Sequence, residues 1–203
     1  MAAAVVALAG CAENTVWATD EAVAQAAYSH EGPSTLTLYT VINNGSGNGA
    51  HSGLLINGAQ RVLYDPAGTF SVNVVPERND LHFGITEQIR DFYELFHART
   101  SFHVVAQEIE VPYEVAELAL RRAQEYGAGS KGFCTVAVAS ILQDLPGFEP
   151  VRSTMIPNKL MEAVASIDRV TTREIYEYDS DDKTVVLAEF QAAMARSRAQ
   201  QDK

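Results

Sequence analysis

Between Thr35 and Tyr64 the chain alternates apolar and polar residues in successive runs, and a period of two dictates paired strands. Thr35-Leu-Thr-Leu-Tyr-Thr-Val-Ile42 is the first run, rich in β-branched residues, and Asn43 to Gly49 is a loop by composition. His51-Ser-Gly-Leu-Leu-Ile56, the turn dipeptide Asn57-Gly58 and Gln60-Arg-Val-Leu-Tyr64 then read as a β-hairpin, closed by the turn signal Asp65-Pro-Ala-Gly68. Downstream the period lengthens. Ile85, Ile89, Phe92, Tyr93 and Phe96 share one helical face, 102–111 alternates again, and Pro112 opens a helix that Gly127 and Gly129 stop. Phe133 to Leu142 has the length of a buried strand or a short helix, and its Ala content and apolar positions favour a helix from about Cys134. A helix from Pro157 to Ala165, a strand over 170–178 and a polar helix from Leu187 complete the pattern. Strands interleaved with segregated helices, with no internal repeat, predict one α+β domain.

At 203 residues, 47% of them hydrophobic and 20% charged, the chain can fill one sizeable core, which argues against disorder or a small disulfide scaffold. Lys and Arg number 15 against 26 Asp and Glu, a formal charge of -11. So little positive field argues against a nucleic-acid partner. No run of 18 apolar residues occurs, which excludes a polytopic membrane protein.

The two cysteines sit in different surroundings. Met1-Ala-Ala-Ala-Val-Val-Ala-Leu-Ala-Gly-Cys11 is an apolar stretch ending in small residues, as an export signal does, and Leu8-Ala9-Gly10-Cys11 resembles the bacterial lipobox. That resemblance implies a lipid on Cys11, a signal over 1–11, a tether or loosely packed short helix over 12–33, and the folded domain over 34–203. It also implies an exported protein anchored on the periplasmic side of the cell envelope. No Lys or Arg precedes the apolar core, so a start upstream of Met1 is expected. Without the lipid, the same residues read as an Ala-rich helix. Cys134 is then the only thiol left, with no partner for an internal disulfide.

A cysteine at a helix N-terminus gains thiolate stabilisation and oxyanion donors from unpaired backbone N–H groups. Cys134 is placed for that role, although its apolar neighbours also suit an inert core residue. Five histidines could serve as base. His30 lies in the weakly patterned N-terminal region, His82 in a loop, His97 at a helix end where it can complement the dipole, and His103 near a strand start. His51 differs, because it follows a Gly-rich loop and opens a strand at the rim of a sheet. Asp65 is the nearest carboxylate to orient it. A two-residue turn at Asn57-Gly58 pairs His51 with Tyr64 and turns Asp65 to the other face, whereas a three-residue loop through Ala59 pairs His51 with Asp65. Both registers remain open. Asn43 to Gly49 lacks the Lys-Ser/Thr of a phosphate loop, and Asp179-Ser-Asp-Asp182 lacks the glycine and closing glutamate of a calcium loop. No zinc spacing occurs, so neither metal nor cofactor is expected.

The order of these parts, with the tripeptides Ala50-His51-Ser52 and Phe133-Cys134-Thr135, resembles the circularly permuted branch of the NlpC/P60 papain-like superfamily, in which histidine precedes cysteine. The resemblance spans roughly Leu36 to Val164, including the helix at 113–126 and the Pro157-Asn-Lys-Leu160 helix start. Phe133 departs from the asparagine or tyrosine that several relatives carry before the cysteine. The resemblance implies a cysteine hydrolase or acyltransferase acting on an amide or ester, with Cys134 as nucleophile, His51 as base and Asp65 as orienting group. Cell-envelope peptides are the implied substrates. A non-catalytic binding module on the same fold is the rival expectation, and it requires a buried, high-pKa Cys134 with His51 out of reach.

Overall fold

The computed structural model describes residues 16–201. The lipobox reading and Cys11 lie outside the described residues. β1 (Thr35–Asn43) is flanked by two equally long strands, β2 (Gly49–Asn57) and β6 (Phe102–Glu110). β3 (Arg61–Tyr64), β5 (Leu81–Phe83) and β4 (Glu77–Arg78) extend the sheet beyond β2, and β7 (Thr171–Ile175) extends it beyond β6. Every pairing is antiparallel. The protein is therefore an α+β fold in which a seven-stranded antiparallel sheet packs against helices.

Both faces of the sheet are covered, which explains why β1 is buried almost from end to end. Leu36 and Leu38 of β1, with Leu54, Ile56, Val62 and Tyr64, meet α3 (Tyr113–Tyr126), α4 (Cys134–Leu142) and α5 (Pro157–Ala165). Tyr39 and Val41, on the alternate face, join Leu55, Leu63 and Phe70 against α2 (Glu87–His97). α6 (Lys183–Gln201) lies over the same face, where Phe190 stacks on Phe92 at 3.8 Å. That stacking belongs to a helix that begins four residues ahead of the expected Leu187.

Local chemistry sets the helix ends. The Thr86 hydroxyl accepts from the Ile89 N–H and starts α2. Pro157 occupies the first turn of α5. Pro112 is the N-cap of α3, one residue ahead of the expected first position, and Gly127 ends that helix with φ at +75°. Residues 16–33, read above as a tether or a loosely packed short helix, contain α1 (Asp20–Ala26), which is capped by Thr19 and has no buried residue. They also lie against the domain: Trp17 bridges Arg78, and the Asn57 amide donates to the Pro33 carbonyl.

The hairpin adopts neither of the two registers considered. Asn57 pairs with Arg61 and Leu54 with Tyr64, so the loop is Gly58-Ala59-Gln60 and His51 lies opposite neither Tyr64 nor Asp65. Asn57 extends the strand because its side chain is held by Pro33, and the Ala59 N–H is taken by Glu117. His82 also departs from expectation, because it is a buried residue of β5 rather than part of a loop.

Candidate active site

The site forms where β2 loses a neighbour. β3 pairs with β2 only from Leu54 to Asn57, leaving the segment from Gly49 to Gly53 without a β3 partner. A register shift between Val41 and Ile42 passes over Ala50, a bulge immediately before His51 that locally re-aims the strand. Asn158 at the start of α5 accepts from the Gly49 N–H and donates to the Gly47 carbonyl, clamping the loop that feeds β2. The first turn of α4 is tied to the same stretch by a buried hydroxyl pair, Ser52 Oγ to Thr135 Oγ1 at 3.1 Å. The two tripeptides singled out in the sequence thus touch through their third residues. His51 and Cys134 each stand one residue from that tie.

His51 Nε2 donates to Asp65 Oδ1 at 2.7 Å, and the same oxygen accepts from the Tyr93 hydroxyl of α2 at 2.8 Å. Asp65 shares a face with His51 because the observed register puts it beside Gly53, two residues along the strand. Gly53 is required there: a Cβ would stand 2.3 Å from Tyr93 Oη and 3.5 Å from Asp65 Oδ1. Gly68 closes the turn over the carboxylate, where a Cβ would fall 1.6 Å from Oδ2. Its N–H donates to the Asp65 carbonyl, while the Asp65 N–H donates to the Asp80 carbonyl. The carboxylate is buried and has little freedom to move.

Burial works against charge on Asp65, yet the adjacent His51 charge and hydrogen bond prevail and hold its carboxyl well below the usual carboxylate range. Burial also opposes the His51 cation, but Asp65, and then Cys134, carry the imidazole up to about 10. Burial raises the Cys134 thiol, and it is outweighed by hydrogen bonding and charge from His51, the Ser52 backbone N–H and the Thr135 hydroxyl, which bring it down to about 7. With Nε2 committed to Asp65, Nδ1 is the ring nitrogen free to serve the sulfur. Each partner favours the charged form of the other, His51 being raised and Cys134 lowered, so the pair favours thiolate with imidazolium.

His97 stacks on His51 with ring centroids 5.7 Å apart and donates from Nδ1 to the Tyr93 carbonyl. Burial drives it down to about 3, so it is a neutral wall behind the imidazole and not the cation expected to complement the α2 dipole. Burial likewise pushes His82 down. His30 reaches Glu87, and His103 bonds Asn44 and stacks on Tyr176, so neither contributes to the site. Ligand atoms of His51, Asp65 and His97 lie within 4.8 Å of one another, close enough in principle to hold a cation. The nearest two donors are spent on each other at 2.7 Å, and Gly68 sits against the remaining carboxylate oxygen.

The first bond of the α4 ladder runs from the Ala137 N–H to the Phe133 carbonyl, so the N–H groups of 134–136 stand ahead of the ladder as donors for a developing oxyanion. A cleft of about 280 Å³ opens beside the imidazole, lined by His51, His97, Gly68, Thr69, Arg99 and Lys183 among others. A larger hollow of about 690 Å³, between α1 and residues 71–77, contains none of these groups.

Cys134, His51 and Asp65 are therefore brought together as one constellation. Sequence reasoning missed Tyr93, which looked like one more apolar position of α2, and it gave no role to Gly53, Ser52 or Thr135. An isolated glycine inside a strand pattern was the one available signal, since it marks close approach by another group. No known protein family, curated protein or solved structure matches this chain.

Proposed function

We propose that the protein is an exported cysteine hydrolase that cleaves an amide or ester through a thioester on Cys134, built as a circularly permuted NlpC/P60 papain-like fold. The observation that carries the reading is the thiol at the start of α4, lowered to about 7 by an imidazole that a buried carboxylate holds at 2.7 Å. A core cysteine has no use for that arrangement, whose three members come from β2, the turn after β3 and a separate helix.

In the reaction, the Cys134 thiolate attacks the substrate carbonyl carbon, and the oxyanion is received by the N–H groups at the start of α4. The imidazolium of His51 gives its Nδ1 proton to the leaving amine or alkoxide as the C–N or C–O bond breaks. Water then attacks the thioester, His51 takes its proton, the C–S bond breaks, and the acid departs, restoring the Cys134 thiolate and the His51 imidazolium. Another acceptor in place of water makes the same site an acyltransferase. Asp65 and Tyr93 hold the imidazole in the tautomer and orientation both steps use. The lipobox at Leu8-Ala9-Gly10-Cys11 supports a lipid anchor on Cys11 and hence action on cell-envelope peptides.

The test is the pH dependence of Cys134 alkylation by iodoacetamide in wild type and His51→Ala. A midpoint near 7 that moves above 8.5 in the variant supports the pair. A slow reaction indifferent to His51 returns Cys134 to the core and favours the binding module.

A further inference from the structure

We propose that the cleft beside His51 is an anion subsite, in which Arg99 and Lys183 receive a free carboxylate, or a chemically similar phosphate, carried by the substrate whose acyl group reaches Cys134. This rests on the cysteine-hydrolase reading and adds a substrate class to it.

Arg99 lines the cleft and is 2% exposed, yet among the described residues its Nε and Nη2 have no hydrogen-bond partner. Its nearest carboxylate, Asp179, meets Nη1 at 3.7 Å and is itself largely exposed. A buried guanidinium costs several kcal/mol unless its donors are satisfied, and its planar fork suits a bidentate oxyanion. Lys183, at the start of α6, lines the same cleft, with Nζ 4.4 Å above the Phe96 ring. Burial depresses its pKa most, Asp65 opposes that, and Arg99 and Asp181 then act in opposite directions, so Lys183 feels Arg99 as well as two carboxylates.

Asp181 lines the cleft as well, and both nearby acids have hydrogen-bond donors other than the two cations. Asp65 is held by His51 and Tyr93, and both oxygens of Asp181 accept from Ser101, one from its N–H and one from its hydroxyl. The Thr100 hydroxyl and N–H add bonds to the 178–179 backbone, so the acidic run Asp179-Ser-Asp-Asp182 fastens the start of α6 beside the cleft. Arg99 keeps two donors without acceptors among the described residues, in a cleft that holds a second cation, and an incoming anion supplies the missing acceptor. The cleft borders His51, so an anion held there sits on the substrate a short distance from the scissile carbonyl.

The test compares mono-p-nitrophenyl esters of succinate, glutarate and adipate with their neutral methyl-ester counterparts on the full chain. The expected result is a kcat/KM ratio favouring the free acid at one chain length. That ratio falls about tenfold or more in Arg99→Gln and recovers in part in Arg99→Lys, as loss and return of a charged hydrogen bond require. Lys183→Met, at a partly exposed position, gives a smaller fall and covers the case in which Arg99→Gln does not fold. A ratio at or below one for all three lengths, or a preference that survives in both Arg99→Gln and Lys183→Met, overturns the proposal. A second arm needs no catalysis: glutarate or inorganic phosphate, at fixed ionic strength, should raise the wild-type Tm in proportion to occupancy. A rise with glutarate alone identifies a carboxylate, a rise with phosphate alone identifies a phosphate, and no rise with either overturns the subsite. Failure of the Cys134–His51 pair appears separately, as no acylation by any ester.

Discussion

Replacing Asp65 with Asn removes the charge behind His51 while keeping a side chain that can accept its Nε2 proton. Burial is the largest influence on His51 and acts to lower its pKa, so without the carboxylate the imidazole should fall from about 10 to 6.5 or below. At 1.36 kcal/mol per pH unit this withdraws on the order of 5 kcal/mol from the imidazolium. A neutral neighbour no longer offsets burial of the thiol, so Cys134 should move from about 7 back to its ordinary 9.0 or higher. At pH 7 the thiolate fraction then drops about 50-fold, and the greater nucleophilicity of a more basic thiolate returns nearly tenfold, leaving alkylation about sixfold slower. The assay is iodoacetamide alkylation of Cys134 across pH 5 to 11 in both proteins, followed by peptide mass. The midpoint should rise by about two pH units. An unchanged midpoint in a folded Asp65→Asn protein refutes the reasoning, because Asp65 would then not govern the pair.

Three other perturbations follow from the same geometry. Gly53→Ala pushes a methyl group to within 2.3 Å of Tyr93 Oη and should displace that hydroxyl from Asp65, whereas Gly53→Ala combined with Tyr93→Phe removes the clash, so unfolding free energies should show a double variant less destabilised than the two singles summed. Ser52→Ala leaves the buried Thr135 hydroxyl with only its long contact to Cys134 Sγ at 3.9 Å and should cost about 1–3 kcal/mol in urea denaturation, with part regained by adding Thr135→Val. His97 is neutral when folded, with its pKa near 3, and unfolding lets it bind a proton below its ordinary 6.5, so its contribution to stability falls as pH drops through that window. Between pH 7 and pH 5 this amounts to about 2 kcal/mol, and His97→Gln should lose that share of the pH dependence.

Much of this architecture was legible because burial and backbone period agree along it. β1, α2, α3 and α5 announce themselves by two- or four-residue spacing and by Pro, Thr or Gly at their ends, whereas α4, between Phe133 and Gln143, shows only its length and Ala-rich apolar positions. Cys134, His51 and Asp65 were legible as residue types placed at a helix start, a strand start and a turn. What joins them was not. The register depends on Asn57 being held by Pro33, a contact 24 residues away that overrides the local turn preference of Asn-Gly. The two- and three-residue strands β4 and β5 are too short to show a period, which left His82 in an apparent loop. Tyr93 follows the apolar stripe of α2 like any core aromatic, and only the folded geometry turns its hydroxyl onto Asp65. His97 was misread because proximity to a helix end favours a cation, while burial, which sequence spacing does not report, favours the neutral ring.

The central claim is that Cys134 becomes covalently acylated with His51 as its partner. Its most direct test is intact mass and peptide mapping of the full chain after brief exposure to p-nitrophenyl acetate at pH 7.5, beside Cys134→Ala and His51→Ala. One acetyl group per chain on Cys134, labile to neutral hydroxylamine, absent from Cys134→Ala and strongly slowed in His51→Ala, is the predicted result. No adduct on Cys134, or acetylation at the same rate without His51, would contradict it.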